Sequence, residues 1–184
     1  MKTRFLFIIV LAFIASISSM FGQVNFQKGL KISEIPSNFK IVEKTEYGEE
    51  GSGYLVYELY SNNLLSYTLI PETYYDEASG ESKIKQPAVI GEFTVYTSEL
   101  KTPKGIGVGS TIQEFVTAYP AYSIWYTYVS DRFVIDTEAH RNLQFEINDS
   151  DFIGDRASLE SGDSDALNIN QFKPSTKIKS VRVY

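Results

Sequence analysis

Only one strong run in this chain carries the 3.6-residue period of a helix. Most of the sequence from Phe39 to Tyr184 alternates with the two-residue period of a strand. Strands need partners, and an amphipathic helix buries a single stripe, so the pattern points to an antiparallel sheet with helical cover on one face. The helical run is Ser110–Tyr119. Ser110 stands where an N-cap is needed, Gln113 follows three residues later as in a capping box, and Pro120 stops the run. Ile112, Phe115, Val116 and Tyr119 form its apolar stripe. A shorter helix of one or two turns is expected from Ser33, with Ile32, Ile35 and Phe39 on its buried side and Pro36 limiting it. Tyr54–Tyr60 and Leu64–Ile70 flank the turn signal Ser61-Asn62-Asn63 and read as a hairpin. Further strands are expected at Phe39–Thr45, Ala88–Thr97, Ser123–Val129, Arg132–Asp136, Asn142–Ile147 and Lys177–Tyr184. The polar stretches Asp76–Pro87 and Asn148–Asn170 read as loops. The predicted class is therefore α+β, an antiparallel sheet covered on one face by one longer and one short helix.

The first residues follow a different logic. Lys2 and Arg4 precede eleven uncharged, strongly apolar residues, Phe5–Ala15, and then small and polar residues. This is the order of a secretory signal peptide, and the apolar run is too short to span a bilayer as a helix. Cleavage is expected after Gly22, with Ser18 and Ser19 as the alternative sites. Removing 22 of the 184 residues leaves a single domain, 23–184. Losing Lys2 and Arg4 takes the formal charge from −6 to −8. Such a balance disfavours nucleic acid and anionic lipid as partners. No second long apolar run follows, so no transmembrane helix is expected in the mature chain, and its expected location is the periplasm or the extracellular space. The chain has no cysteine, which excludes disulfides, thiolate zinc sites and a lipid-modified N-terminal cysteine. The mature protein must hold together by its core alone. Halves 23–100 and 101–184 each run from a helix cap into antiparallel strands. That is the order a duplication leaves, though the two share too little identity to establish one.

The stretch Gly105–Tyr119 (GIGVGSTIQEFVTAY) resembles the glycine–cap–helix opening of small bacterial envelope proteins. Among these are the β-lactamase inhibitor protein family and the small lipoprotein of the outer-membrane β-barrel assembly machine. It is also similar to small envelope-stress lipoproteins of unknown function. The resemblance extends over Gly105–Tyr184. It implies a helix-on-sheet fold and a noncatalytic role, and it carries over no binding residue. This chain lacks both the lipobox cysteine of the lipoproteins and the cysteines of the inhibitor.

Few residue groups suggest chemistry. Asp149-Ser150-Asp151 begins like a calcium loop, with Gly154 and Glu160 at the sixth and twelfth positions, but Ile153 occupies the fifth, where an oxygen ligand is required. A solvated acidic loop explains it better, and no metal site is expected. His140 is the only histidine, and no nucleophile-elbow motif surrounds a serine. Gly105, Gly107 and Gly109 miss the spacing of a dinucleotide-binding loop and read as turn chemistry, so no cofactor is expected. Glu58 within YLVYELY reads as an outward-facing strand residue.

The aromatic residues stand out most. All 13 tyrosines, the single tryptophan and eight of the 12 phenylalanines lie beyond the predicted cleavage site. In the strand at Ser123–Val129, alternation puts Tyr126 and Tyr128 on the core side and Trp125 on a partly exposed surface, beside Tyr122. Exposed tyrosine and tryptophan are favoured anchors for partners. The expected function is a secreted or periplasmic noncatalytic binding module for an envelope protein or glycan, with Trp125 and Tyr122 at the ligand. A hydrolase using carboxylates from separate strands is the alternative. A structural protein pairing through a sheet edge is disfavoured, because Lys177, Lys179 and Arg182 would blunt an edge formed by the last strand. Mass spectrometry of exported protein should find a chain beginning near Gln23; recovery of material that retains Phe5–Ala15 would contradict the targeting assignment.

Overall fold

In the computed structural model, residues 26–47, 53–128, 130–159 and 167–184 are described. The predicted signal peptide lies outside them. Among the described residues, ten strands occur in chain order: β1 (Lys40–Tyr47), β2 (Gly53–Ser61), β3 (Leu64–Pro71), β4 (Thr73–Asp76), β5 (Glu81–Ile84), β6 (Ile90–Val95), β7 (Tyr122–Thr127), β8 (Arg132–Thr137), β9 (Leu143–Ile147) and β10 (Ile178–Val183). One helix, α1 (Ile112–Ala118), lies between β6 and β7. Asn62 and Asn63 have φ of 51° and 64°. Two successive positive values suit the right-handed twist of a tight hairpin, so the β2–β3 hairpin closes as its sequence predicted.

Eight strands form one sheet in the order β1-β2-β3-β6-β10-β9-β8-β7, and every neighbouring pair is antiparallel. Each half of the chain supplies four consecutive neighbours. The halves meet where β6 pairs with β10, through Val95↔Val181, Thr94↔Arg182 and Phe93↔Val183. The remaining two strands, β4 and β5, form a small separate hairpin. Its turn and β5 fall in the stretch Asp76–Pro87 expected to be a loop, with Asp76 held by Lys83 and Ser79 at the turn.

The registers place one row of directly opposed residues across all eight strands: Ile41, Leu59, Tyr67, Val95, Val181, Phe145, Ile135 and Ile124. All but Ile41 at the edge are buried. This face carries two apolar clusters. Under the first half, Leu59, Tyr67, Leu69, Phe93 and Val95 pack against Phe26, Ile35 and Phe39, with Phe26 lying 4.2 Å from Tyr67 between ring centroids. Under the second, Phe115 of α1 meets Phe145 at 5.0 Å, and Phe133, Phe152 and Phe172 pack ring on ring.

This architecture corrects the predicted α+β class. The protein is nearly all-β, with one helix of seven residues among the described residues and no longer helix over the sheet. At the expected short helix, only Ile32–Glu34 makes a 3₁₀ turn. Lys31 is bridged to Val89 in extended form, and Ile35, which precedes Pro36, is also extended (φ −66°, ψ 130°), as the proline ring demands of its neighbour. Irregular chain therefore covers the first half. In the second, Phe152 and Leu159 enter the core from the segment read as a solvated loop, joined by Phe172 just after it.

The helix cap is displaced by one residue. Thr111, not Ser110, is the N-cap: its side chain accepts from Glu114 N, and Glu114 reaches back to Thr111 N at 2.7 Å. Ser110 is withdrawn into the fold, its hydroxyl accepting from Gly107 N and its carbonyl from Ile178 N. The glycines before it are explained here. A Cβ at Gly107 would sit 2.2 Å from the Leu100 carbonyl oxygen, and Gly109 has φ of +85°, so close approach and a left-handed turn account for the spacing. Phe115 is fully buried. Phe115→Ala should cost about 3–5 kcal/mol of unfolding free energy and Thr111→Ala about 1 kcal/mol, both measurable by urea titration. Parent-like stability of Phe115→Ala would contradict this packing.

Candidate functional site

Residues alternating with the buried row point to the opposite face. There, Val42, Glu58, Thr68, Thr94, Arg182 and Gln144 form one opposed row, and Ser180, Glu146, Val134 and Trp125 form another. Among the described residues, no helix covers this face. At a strand spacing of about 4.8 Å, a flat sheet would hold β1 and β7 about 34 Å apart. Yet Glu46 and Tyr47 of β1 and Trp125 and Thr127 of β7 line one trough of about 690 Å³. The sheet curls around this face, and its two edges become the rims. The positive charges of Arg132 and Arg182 act on the Tyr54 hydroxyl from across the sheet.

Ion pairs and charge-assisted hydrogen bonds organise the trough. Glu146 accepts from Ser180 Oγ at 2.7 Å and pairs with Lys179 at 2.9 Å and Arg132 at 3.6 Å. Arg182 is bonded to Glu92 and lies 4.9 Å from the Tyr184 ring centroid. Tyr184 donates its hydroxyl proton to Gln144. On the first half, the Tyr54 hydroxyl donates to Glu46 at 3.0 Å. Beside the trough on β2, Glu58 is buried and accepts from Lys44 Nζ at 2.6 Å and the Tyr60 hydroxyl at 2.5 Å. Burial opposes its charge, but those two bonds and the lysine charge outweigh it and hold the carboxyl below its ordinary range. Glu58 thus lies on the outward face, as its sequence suggested, but buried there by its partners.

The two ligand residues predicted from sequence part company. Trp125 lines the trough, half-buried, its Nε1–H donating to Asp136 at 3.0 Å. Tyr122 faces the other way and packs against the core with Ile124 and Tyr126. Alternation along β7 enforces this, since residues three apart cannot share a face. Tyr128, assigned to the core side, lies beyond the end of β7 and is 53% exposed. Tyr54, Arg182, Tyr184 and Glu146 were missed. Each is polar or amphipathic on an alternating strand, which marks the outward face, but their convergence follows from a strand order that alternation does not encode. The last strand is not an edge: β10 lies between β6 and β9, so Lys179 pairs with Glu146 of β9 and Arg182 with Glu92 of β6 instead of guarding a rim.

The other candidates for chemistry have structural roles. His140 Nε2 lies 2.9 Å from the Tyr119 hydroxyl, its ring edge-on to that tyrosine. Asp151 pairs with Lys173, and the Asp149 carbonyl accepts from Arg156. Among the described residues, no group of three or more histidines and carboxylates is placed to hold a metal. No helix there is long and apolar enough to cross a membrane. Comparisons with family models, curated proteins and solved structures return no match, so any functional reading rests on the trough and the sequence.

The depressed Glu58 carboxyl contributes stability above its ordinary pKa of 4.5, and that contribution fades as pH falls through the lower folded value. Lys44 is raised above 10.5 by the same pair, so its share persists below 10.5 and is lost at higher pH. Glu58→Gln should therefore flatten the acid limb: below pH 4.5 the parent loses stability more steeply than the variant, as read by chemical unfolding at a series of pH values. Parallel acid limbs would contradict the geometry.

Proposed function

We propose that this protein is an exported, noncatalytic binding module that takes its ligand into the trough on the curled face of its sheet. One observation carries the reading: residues from both edge strands and from β2, β6, β8, β9 and β10 line the same concavity. Its volume falls within the ~300–1,000 Å³ of small-ligand sites. A wide polar face left uncovered on a protein with a full apolar core on the other side is a surface available for recognition. The export signal at residues 1–22 and the resemblance of Gly105–Tyr184 to small noncatalytic envelope proteins support the same assignment.

The hydrolase reading fares less well. A carboxyl acting as general acid near neutral pH needs a raised pKa. The most buried carboxyl on this face, Glu58, is driven the other way by Lys44 and Tyr60. Glu146 is occupied by a serine hydroxyl and two cations. These groups brace the face as fixed charges.

Trp125→Ala should weaken retention of the ligand from envelope extract by about 2 kcal/mol or more, as loss of a central aromatic anchor does. Stability should stay within about 1 kcal/mol of the parent, because the side chain lies outside the apolar core. Tyr75→Ala, on the exposed β4–β5 hairpin, serves as control and should bind like the parent. Equal retention by parent and Trp125→Ala would sink the trough as the site.

A further inference from the structure

The chemistry of the trough goes further than its shape. Resting on the assignment of the trough as the binding site, we propose that its ligand is an uncharged oligosaccharide. Three features of the lining lead there. The first is charge. Arg182 is matched by Glu92, Glu146 by Lys179 and Arg132, and Lys44 beside the trough by Glu58. The carboxylates and cations within the trough itself, Glu46, Glu146, Arg132 and Arg182, balance two against two. Such a surface offers no net attraction to a phosphate, a polyanion or a cationic peptide.

The second feature is the distribution of rings. Tyr54 stands on β2, Trp125 on β7 at the far rim, and Tyr184 follows β10 near the middle. Aromatic side chains spaced across a trough give a chain of sugar rings successive apolar platforms for their C–H faces. The Tyr54 hydroxyl, the Trp125 N–H and the Tyr184 hydroxyl are each held by a partner on the same face, which holds the rings in place before a ligand arrives.

The third is the floor between the rings. Thr94, Thr127, Gln144 and Ser180 alternate there with the ion pairs, and Val134 is the main apolar side chain. The dry centre of a protein–protein interface is depleted of charge and built on apolar anchors. Covering Glu146, Arg132 and Arg182 with an apolar surface would remove their remaining hydration without replacing it. A hydroxyl-rich ligand instead exchanges water for donors and acceptors of the same kind and leaves bridging waters in place.

Trp125 is the only tryptophan, so its fluorescence reports on the trough directly. Purified protein is titrated with neutral oligosaccharides of β-1,4-glucose, β-1,4-N-acetylglucosamine, α-1,4-glucose and mannose, and with an acidic oligogalacturonate. At least one neutral oligosaccharide should give a saturable emission change at millimolar concentration or below. Its affinity should vary little with ionic strength, since no charge pairing with the ligand is involved. The acidic probe should bind at least about tenfold more weakly. Tyr54→Ala keeps the reporter and should raise the dissociation constant about tenfold; Tyr75→Ala should leave it unchanged. Absence of saturation with every neutral probe, tighter binding of the acidic one, or indifference to Tyr54→Ala would each overturn the proposal. If the neutral probes fail while Trp125→Ala still abolishes retention of a protein from envelope extract, the trough remains the binding site and the ligand class is wrong. If both fail, the trough assignment falls with it.

Discussion

Register is the constraint on which this molecule depends. Side chains on a strand alternate between faces, and antiparallel partners keep opposed residues on the same side, so the choice of face made by any one strand is imposed on its neighbours. From Ile41 to Ile124 the choice holds across eight strands, giving one apolar row and, beside it, the polar rows of Glu58 to Gln144 and Ser180 to Trp125. A slip of one residue in β10 alone would carry Arg182 into the core and Val181 into the trough. Core and candidate site are therefore two readings of a single pairing scheme.

The polar face has its own requirements. Seven of the ten strands place residues around the trough, and the charged ones would be costly there if left unmatched. Short-range matching is visible throughout: Lys44 with Glu58 across β1 and β2, Lys179 and Ser180 with Glu146 across β10 and β9, Arg182 with Glu92 across β10 and β6. Each bridge links neighbouring strands, so the pairs that neutralise the face also pin the registers that created it.

Local sequence revealed much of this and missed what depends on distance along the chain. The β2–β3 hairpin, the apolar stripe of α1, and the opposite placement of Trp125 and Tyr126 follow from periodicity and turn residues. The extent of helical cover did not, because the bridge from Lys31 to Val89, far along the chain, acts on the Ser33 turn from outside its own pattern. The cap shifted to Thr111 because Ser110 is claimed by Gly107 and Ile178, the latter nearly seventy residues away. Phe152 and Leu159 were read as parts of a polar loop since composition averages over single apolar side chains that the fold uses individually. Within the candidate site, Trp125 was legible from alternation. Tyr122 was misplaced by proximity in sequence, and Arg182 was taken for an edge residue because the central position of β10 arises only when the two halves pair.

The join between those halves has a mechanical consequence. β6 and β10 share three opposed pairs, whereas β1 and β2 share eight. The buried apolar residues beneath separate into one cluster on each side of this line, with Val183 of β10 reaching across to pack against the first. With few opposed pairs at the join and the two main clusters meeting there, this midline stands to the sheet as a spine does to a book. Thr94 and Arg182 of the spine lie in the floor of the trough, and Tyr54 and Trp125 ride on opposite covers. A small change of angle at the spine would set the gap between the covers, and a ligand touching both would act as a clasp that stiffens the whole protein.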